Sequence, residues 1–255
     1  MKKIILLLCT VSLMTVACHK DEQDSSDSSQ TEYPSTANVI SNAVTDYDGN
    51  KYDAVKIGNQ VWMASNLRTT HFANGDEIPV GETTATDQPY RYTPSTDVAS
   101  YGYLYNWSAV MHGATSSTAN PSGVQGVCPN GWHVPSDAEW TQLTSYCGSH
   151  SEYVCSGTGE NIAKALAADH SWRASTNTCA VGNNLNANNT TGFSALPADI
   201  FAGSYNSVGS AASFWTATEK NGISVYVRDF GYLWPDVKSN SYPRGVGCSV
   251  RCVKD

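Results

Sequence analysis

Six cysteines, a run of acids at one turn and a serine–acid pair ahead of a tryptophan are the residues here able to do chemistry. The chain has eight cysteines; with Cys9 and Cys18 assigned to the N-terminal leader and its cleavage point, the six that remain are Cys128, Cys147, Cys155, Cys179, Cys248 and Cys252. Thiols in this number can bridge, bind a soft metal or act as nucleophiles. An even set favours disulfides in an exported chain, and six cysteines allow 15 pairings. Cys128 with Cys252 is the preferred pair, because it closes the last strand onto the segment leading into a helix. The Cys248-x-x-x-Cys252 spacing is half a zinc site, but no second close Cys/His pair completes it. No metal site is assigned.

The acids have bland explanations. Asp46, Asp48 and Asn50 have the alternation of a calcium loop. The bidentate glutamate that ends an EF-hand loop is missing, and Asp48-Gly49 is a strong turn signal. Ser136 and Glu139 form an S-x-x-E capping box, which places Asp137 and Glu139 in a first helical turn. Neither Ser-His-Asp order nor H-E-x-x-H is visible among the six histidines. No catalytic residue is nominated, and the domain reads as non-catalytic.

Binding chemistry points instead to rings. Trp62, Trp107, Trp132, Trp140 and Trp215 lie in motifs that carry a family resemblance and read as core on that ground. Trp172, Tyr205, Tyr232, Trp234 and Tyr242 lie in loop-like sequence and are the candidate ligand-binding residues, as platforms for sugar rings.

The elements that must position these residues are short. Lys51 to Ile57 and Gln60 to Ala64 read as a hairpin around Gly58-Asn59. Trp107 to Met111 reads as a short helix, Asp137 to Tyr146 as a longer one and Asn161 to Ala168 as another, with Ile162, Ala165 and Leu166 on one face. Ser213 to Glu219 is a strand. Ile223 to Phe230 is another, with Ile223, Val225 and Val227 expected on one face. Gly247 to Val253 closes the chain as a strand. Long Asn/Thr/Gly loops connect these pieces. The whole reads as an α+β domain with several antiparallel strands.

The start of the chain is of another kind. Lys2 and Lys3 precede an apolar stretch from Ile4 to about Val16, too short to span a bilayer. Thr15-Val16-Ala17-Cys18 resembles the lipobox of bacterial lipoproteins. By that resemblance residues 1–17 are a lipoprotein signal peptide, and Cys18 is the lipidation site holding the mature chain in the outer membrane. His19-Lys20-Asp21-Glu22 resembles the export signal of Bacteroidetes surface lipoproteins and implies the cell surface. Residues 18–38 read as a flexible acidic tether, poor in apolar side chains. The formal charge is −8; the first 17 residues carry two lysines and no acids, so the mature chain stands at −10. That field disfavours nucleic acid as a partner.

Residues 39–255 then carry a family resemblance. Asp48-Gly49-Asn50, Val55 to Ala64 with Asn66-Leu67, Tyr103 to Trp107, Cys128 through Trp140, Gly192 to Pro197, Phe214-Trp215 with Thr218-Glu219, and Ser249 to Asp255 resemble, in order, the Fibrobacter succinogenes major paralogous domain. The family brings no catalytic residues with it. More distantly, Gly131 to Trp140 resembles a segment of formylglycine-generating-enzyme-like domains. That likeness implies a C-type-lectin-like fold of two helices, a twisted antiparallel sheet and long loops; it warrants architecture, not activity. No cofactor is implied. Calcium stays open through the lectin likeness, although paired Glu-Pro-Asn and Trp-Asn-Asp motifs are not found. The expected function is binding of a glycan or a surface protein by a tethered domain. The alternatives are a structural or assembly accessory lipoprotein and a formylglycine-generating-enzyme-like oxidase, the last needing a reactive thiol pair.

Overall fold

Antiparallel hairpins begin and nearly end the described part of the chain, and most of their strands follow the alternation of the sequence. The computed structural model of the chain describes residues 38–205 and 208–255. The signal peptide, Cys18 and the tether up to residue 37 lie outside the described residues.

Strand β1 (Asn38–Thr45) pairs with β2 (Lys51–Ile57), and β2 pairs with β3 (Gln60–Met63). Tyr52, Ala54, Val55 and Ile57 of β2 are buried. Asp46-Tyr47-Asp48-Gly49 makes the first turn, with Gly49 at φ +82°, a backbone state that favours glycine. Its carboxylates are committed to the chain. Asp46 accepts from the amide and side-chain nitrogens of Asn50, each at 2.9 Å, and from the Tyr52 hydroxyl. Asp48 accepts from the Thr69 hydroxyl at 2.9 Å, the Thr70 amide and His71 Nδ1. Partial burial raises the Asp48 pKa, but these donors outweigh it and hold the carboxyl below its usual range.

Next come β4 (Arg91–Tyr92), helix α1 (Val98–Tyr101), β5 (Leu104–Tyr105) and α2 (Trp107–Met111). Asn106 caps α2 by accepting from the Ala109 amide. Strand β6 (Trp132–His133) leads into α3 (Asp137–Gly148), which starts with the full reciprocal capping box of Ser136 and Glu139. Trp140, Leu143 and Cys147 form its buried face.

The helix expected over 161–168 shrinks to α4 (Ala163–Leu166). Asn161 is held by the preceding loop, its amide nitrogen donating to the Ser156 carbonyl. Ala167 turns extended to bridge Ala195, so the chain leaves the helix after one turn. Strands β7 (Ala211–Glu219), β8 (Ser224–Gly231) and β9 (Lys238–Pro243) form a three-stranded sheet in the order β7-β8-β9. Val225 and Val227 are buried, but Ile223 lies in the turn before β8 and is 77 % exposed, contrary to the alternation. Strand β9 gives no sequence signal, being a polar run without alternation.

The closing strand expected over 247–253 is divided. Gly247, Cys248 and Ser249 make single bridges to Phe201, Tyr105 and Phe214. Only β10 (Val253–Lys254) forms a strand, between β3 and β6, completing the sheet β1-β2-β3-β10-β6. The chain crosses from one set of partners to the other at Arg251. The result is a mixed α/β domain with few, short helices and antiparallel sheets, in keeping with the α+β expectation. Among the described residues no helix is long and apolar enough to cross a membrane.

Candidate functional site

The residues that looked reactive are mostly consumed inside the fold. His133 is buried between two acids, its Nε2 2.7 Å from Glu139 and its Nδ1 2.7 Å from Asp255. Glu139 uses its second oxygen to accept from the amides of Ser122 at 3.0 Å and Ser136 at 2.9 Å. Burial alone would lower the histidine pKa, but the two carboxylates outweigh it and the shift is upward. No hydroxyl faces this imidazole as a nucleophile would, since both ring nitrogens are taken by acids. Asp137 is bound to Arg228 at 2.6 Å. The capping reading accounts for the Glu139–Ser136 bonds, while the Arg228 partner of Asp137 and the His133 and Ser122 partners of Glu139 are long-range contacts that it does not include.

Arg251 is fully buried without a carboxylate. Its guanidinium donates to Asn66 Oδ1 at 2.7 Å and to the carbonyls of Met63 at 3.0 Å, Phe193, and Ser194 at 2.7 Å. It also lies 4.7 Å from the centre of the Phe193 ring and 5.6 Å from that of Phe214. Burial pushes its pKa down to about 9. The Lys164 ammonium is handled likewise, donating to the carbonyls of Asn183 and Asn184 and to Asn188 Oδ1, and burial lowers it to about 8.

The cysteines divide unevenly. Cys128 is bonded to Cys252, and Cys155 to Cys179. Cys147 and Cys248, both disulfide candidates by count, are instead free and buried. They belong to different clusters of the core, Cys248 with Trp215 and Val250, Cys147 with Trp140 and Leu143. They form no thiol pair of the kind the oxidase alternative needs. Burial pushes the Cys147 thiol up to about 12 and Cys248 well above its ordinary value, which suits inert core thiols.

The five candidate ring platforms separate into different settings. Trp172 is no surface platform: it is 5 % exposed, packs in the core, and donates its indole N–H to the Ala195 carbonyl at 3.2 Å. It reads as loop in the sequence because Asn, Thr and Gly surround it, but the loop folds inward on that ring. Tyr242, half-buried, donates its hydroxyl to the buried Asp229 at 2.8 Å. Tyr205 lies tilted against Phe201 and donates to the Thr93 carbonyl, away from the others. Tyr232 and Trp234 stay together and half-exposed at the end of β8. Their carbonyls accept from Gly182 at 2.9 Å and Val181 at 3.0 Å, which pins the turn.

Along the segment that follows Trp234-Pro235 opens a cleft of about 800 Å³. One wall is the C-terminal half of α3, with Thr144, Ser145 and Ser149. A second is the segment Gly159 to Ile162, whose backbone lies against Gly148 so closely that a Cβ at either glycine would strike the other's carbonyl. The third is the run from Asp236 to Asn240, the start of edge strand β9. Lys238 binds Asp236 at 3.0 Å and carries its ammonium 5.3 Å from the centre of the Trp234 ring. Hydroxyls, an amide, two acids and a lysine thus face one concave surface; the Trp234 ring does not line it and meets it only through the Lys238 ammonium. Trp234-Pro235-Asp236 is its only mark in the sequence. The wall itself depends on β9 and on the glycine contact, neither visible from local pattern. Among the described residues no cluster of three or more His, Cys, Asp or Glu is placed to hold a metal ion.

A sequence model of the family described as Fibrobacter succinogenes major domain matches residues 55–254 of the chain. No curated protein and no solved structure matches it.

Proposed function

We propose, for a chain that belongs to the Fibrobacter succinogenes major domain family, that it is a non-catalytic binding protein of the cell surface that recognises a glycan in the cleft between α3 and β9. In this reading Cys18 carries the lipids that hold it in the outer membrane, and residues 18–38 let the domain stand off from the bilayer. The fold would be of C-type-lectin-like kind, a reading supported by the placing of β1 and β10, near the two ends of the domain, in one sheet.

The observation that carries the proposal is the cleft's chemistry. Sugars present hydroxyls that both donate and accept, and one apolar ring face. A concave wall of serine, threonine and asparagine side chains can meet the first. An indole held in place by backbone bonds can meet the second. The test is a glycan array probed with the mature chain, with and without calcium, beside the variant Trp234→Ala. Binding that falls at least about tenfold in the variant is the expected result. Equal binding by both proteins would rule the cleft out as the glycan site. Attachment of labelled palmitate to the wild type but not to Cys18→Ser is expected for the anchor.

A protein partner is the second reading, favoured by the edge position of β9. Its outer side has no strand neighbour among the described residues, and such an edge can accept an extended peptide.

A further inference from the structure

A second cavity, about 460 Å³, lies at the other end of β9, where Arg244 follows the strand, between α2 and the loop before β4. Its volume falls within the usual range of small-ligand sites, about 300–1,000 Å³. The floor is apolar, made by Trp107, Met111, Pro89 and Ala114, while Arg244 and Asp87 bring opposite charges to its wall.

The sequence builds this cavity as a fixed frame. Asn106, which caps α2, also donates its side-chain nitrogen to the carbonyls of Ala85 at 3.0 Å and Gln88 at 2.8 Å. Ser108 donates to the Thr86 carbonyl at 2.6 Å. Three side-chain hydrogen bonds thereby tie the loop 85–88 to the first turn of α2 and set Asp87 at the mouth. On the other side the Trp107 amide donates to the Arg244 carbonyl at 2.9 Å, and its indole N–H to the Thr216 carbonyl at 3.0 Å. The Arg244 guanidinium stands 4.8 Å from the centre of the Trp107 ring and is paired through one nitrogen with Glu219.

Two features go beyond what packing requires. Arg244 offers five N–H donors in a planar fork, and its ion pair with Glu219 engages one nitrogen. Asp87 is exposed and makes no hydrogen bond or ion pair among the described residues, although its loop is tied down on both sides of it. A plain anion would meet the free N–H groups of Arg244, but it would also meet Asp87, Glu219 and the negative field of a chain at −8. A plain cation would meet Asp87 but leave the remaining N–H donors of Arg244, whose charge Glu219 already balances, without an acceptor. A zwitterion gives an acceptor to those donors and a charge partner to Asp87.

We propose that this cavity binds a free α-amino acid with an apolar side chain. The carboxylate pairs with the Arg244 fork, the ammonium with Asp87, and the side chain lies on Trp107 and Met111. This site is separate from the glycan cleft and does not depend on it.

Calorimetric titration of the full chain with L-leucine, N-acetyl-L-leucine and L-leucine amide tests the assignment. Saturable binding of leucine with a Kd of about 1 mM or tighter is expected, and each analogue should bind at least about tenfold more weakly. Asp87→Asn should weaken leucine about tenfold and leave N-acetyl-leucine unchanged. Ala114→Trp, which fills the cavity from an exposed position, should abolish binding. No saturation by leucine, equal binding of N-acetyl-leucine, or leucine affinity untouched by both variants would each overturn the proposal. Among the described residues Asp87 has no partner to lose, so its variant reports on the ligand and not on folding.

Discussion

Arg251 and Lys238 are both cations set against aromatic rings, and they differ in everything else they touch. Arg251 is sealed between Phe193 and Phe214, with its N–H groups given to four internal oxygens. Lys238 leaves 40 % of its side chain in solvent, and its ammonium has one carboxylate partner and one ring. The first is a cross-link that happens to be charged: it joins the end of β3, the segment 193–194 and the last turn of the chain. The second keeps part of its hydrogen-bonding capacity open to solvent. Arg251 and its partners Asn66, Phe193 and Ser194 are motif residues that spend their polar groups on each other. In the proposed reading, recognition falls to side chains outside the motifs such as Lys238.

Removing each cation in the same way is the sharpest test of that contrast. Arg251→Met should have the largest effect of any single substitution. It strands the carbonyls of Met63, Phe193 and Ser194 and the side-chain oxygen of Asn66 away from water. Each buried acceptor left unpaired costs about 1–3 kcal/mol, part of which relaxation recovers, so a loss of about 3–5 kcal/mol is expected in urea unfolding. A variant within about 1 kcal/mol of wild type would refute the cross-link.

The disulfides come next. Replacing Cys128 and Cys252 by serine opens a loop with a sequence separation of 124, against 24 for Cys155 and Cys179. The first pair should cost about 2–5 kcal/mol, and the second about 1.4 kcal/mol less on loop entropy alone. Paired melts of the two double variants check the order. Equal losses would mean that the long bridge adds nothing to what Arg251 already fastens.

A smaller effect belongs to His133. Its folded pKa is raised above the ordinary 6.5 by Glu139 and Asp255. The stabilisation is therefore fully present below pH 6.5 and is lost as pH rises through the folded value. Melting temperature in the wild type should fall over that window relative to His133→Gln. A flat difference between the two proteins would show that the imidazole does not titrate in the fold.

How much of this was legible in the sequence follows the same division. The capping box at Ser136 and Glu139, the start of α3, the β2–β3 hairpin and the five core tryptophans are local, periodic or motif features, and the structure places them as read. Pattern fails where long-range contacts decide. Trp172 sits in polar sequence but is drawn under by Ala195; α4 is cut short by the same residue's bridge to Ala167. The cysteine count is even, yet Cys147 and Cys248 are placed by two separate cores. Strand β9 has no apolar alternation because little of it is buried, and without β9 the cleft has no outer wall.

Lys238→Met should have the smallest effect on stability and so closes the comparison. Its ion pair with Asp236 spans two residues on the surface, is partly exposed at both ends and is screened by salt. Pairs of this kind contribute about 0–1 kcal/mol, and the methionine stem can still cover the Trp234 ring. Unfolding should stay within about 0.5 kcal/mol of wild type. Binding behaves differently if the cleft is the recognition surface, because the ammonium is one of its few charged donors and steadies the ring beside it. A stable protein with weakened glycan binding is the expected outcome, the reverse of Arg251→Met, whose damage should appear in unfolding before any ligand is added. Should Lys238→Met instead unfold the domain, Lys238 would be a second internal fastener, and the division between scaffold and recognition surface would fail at that residue.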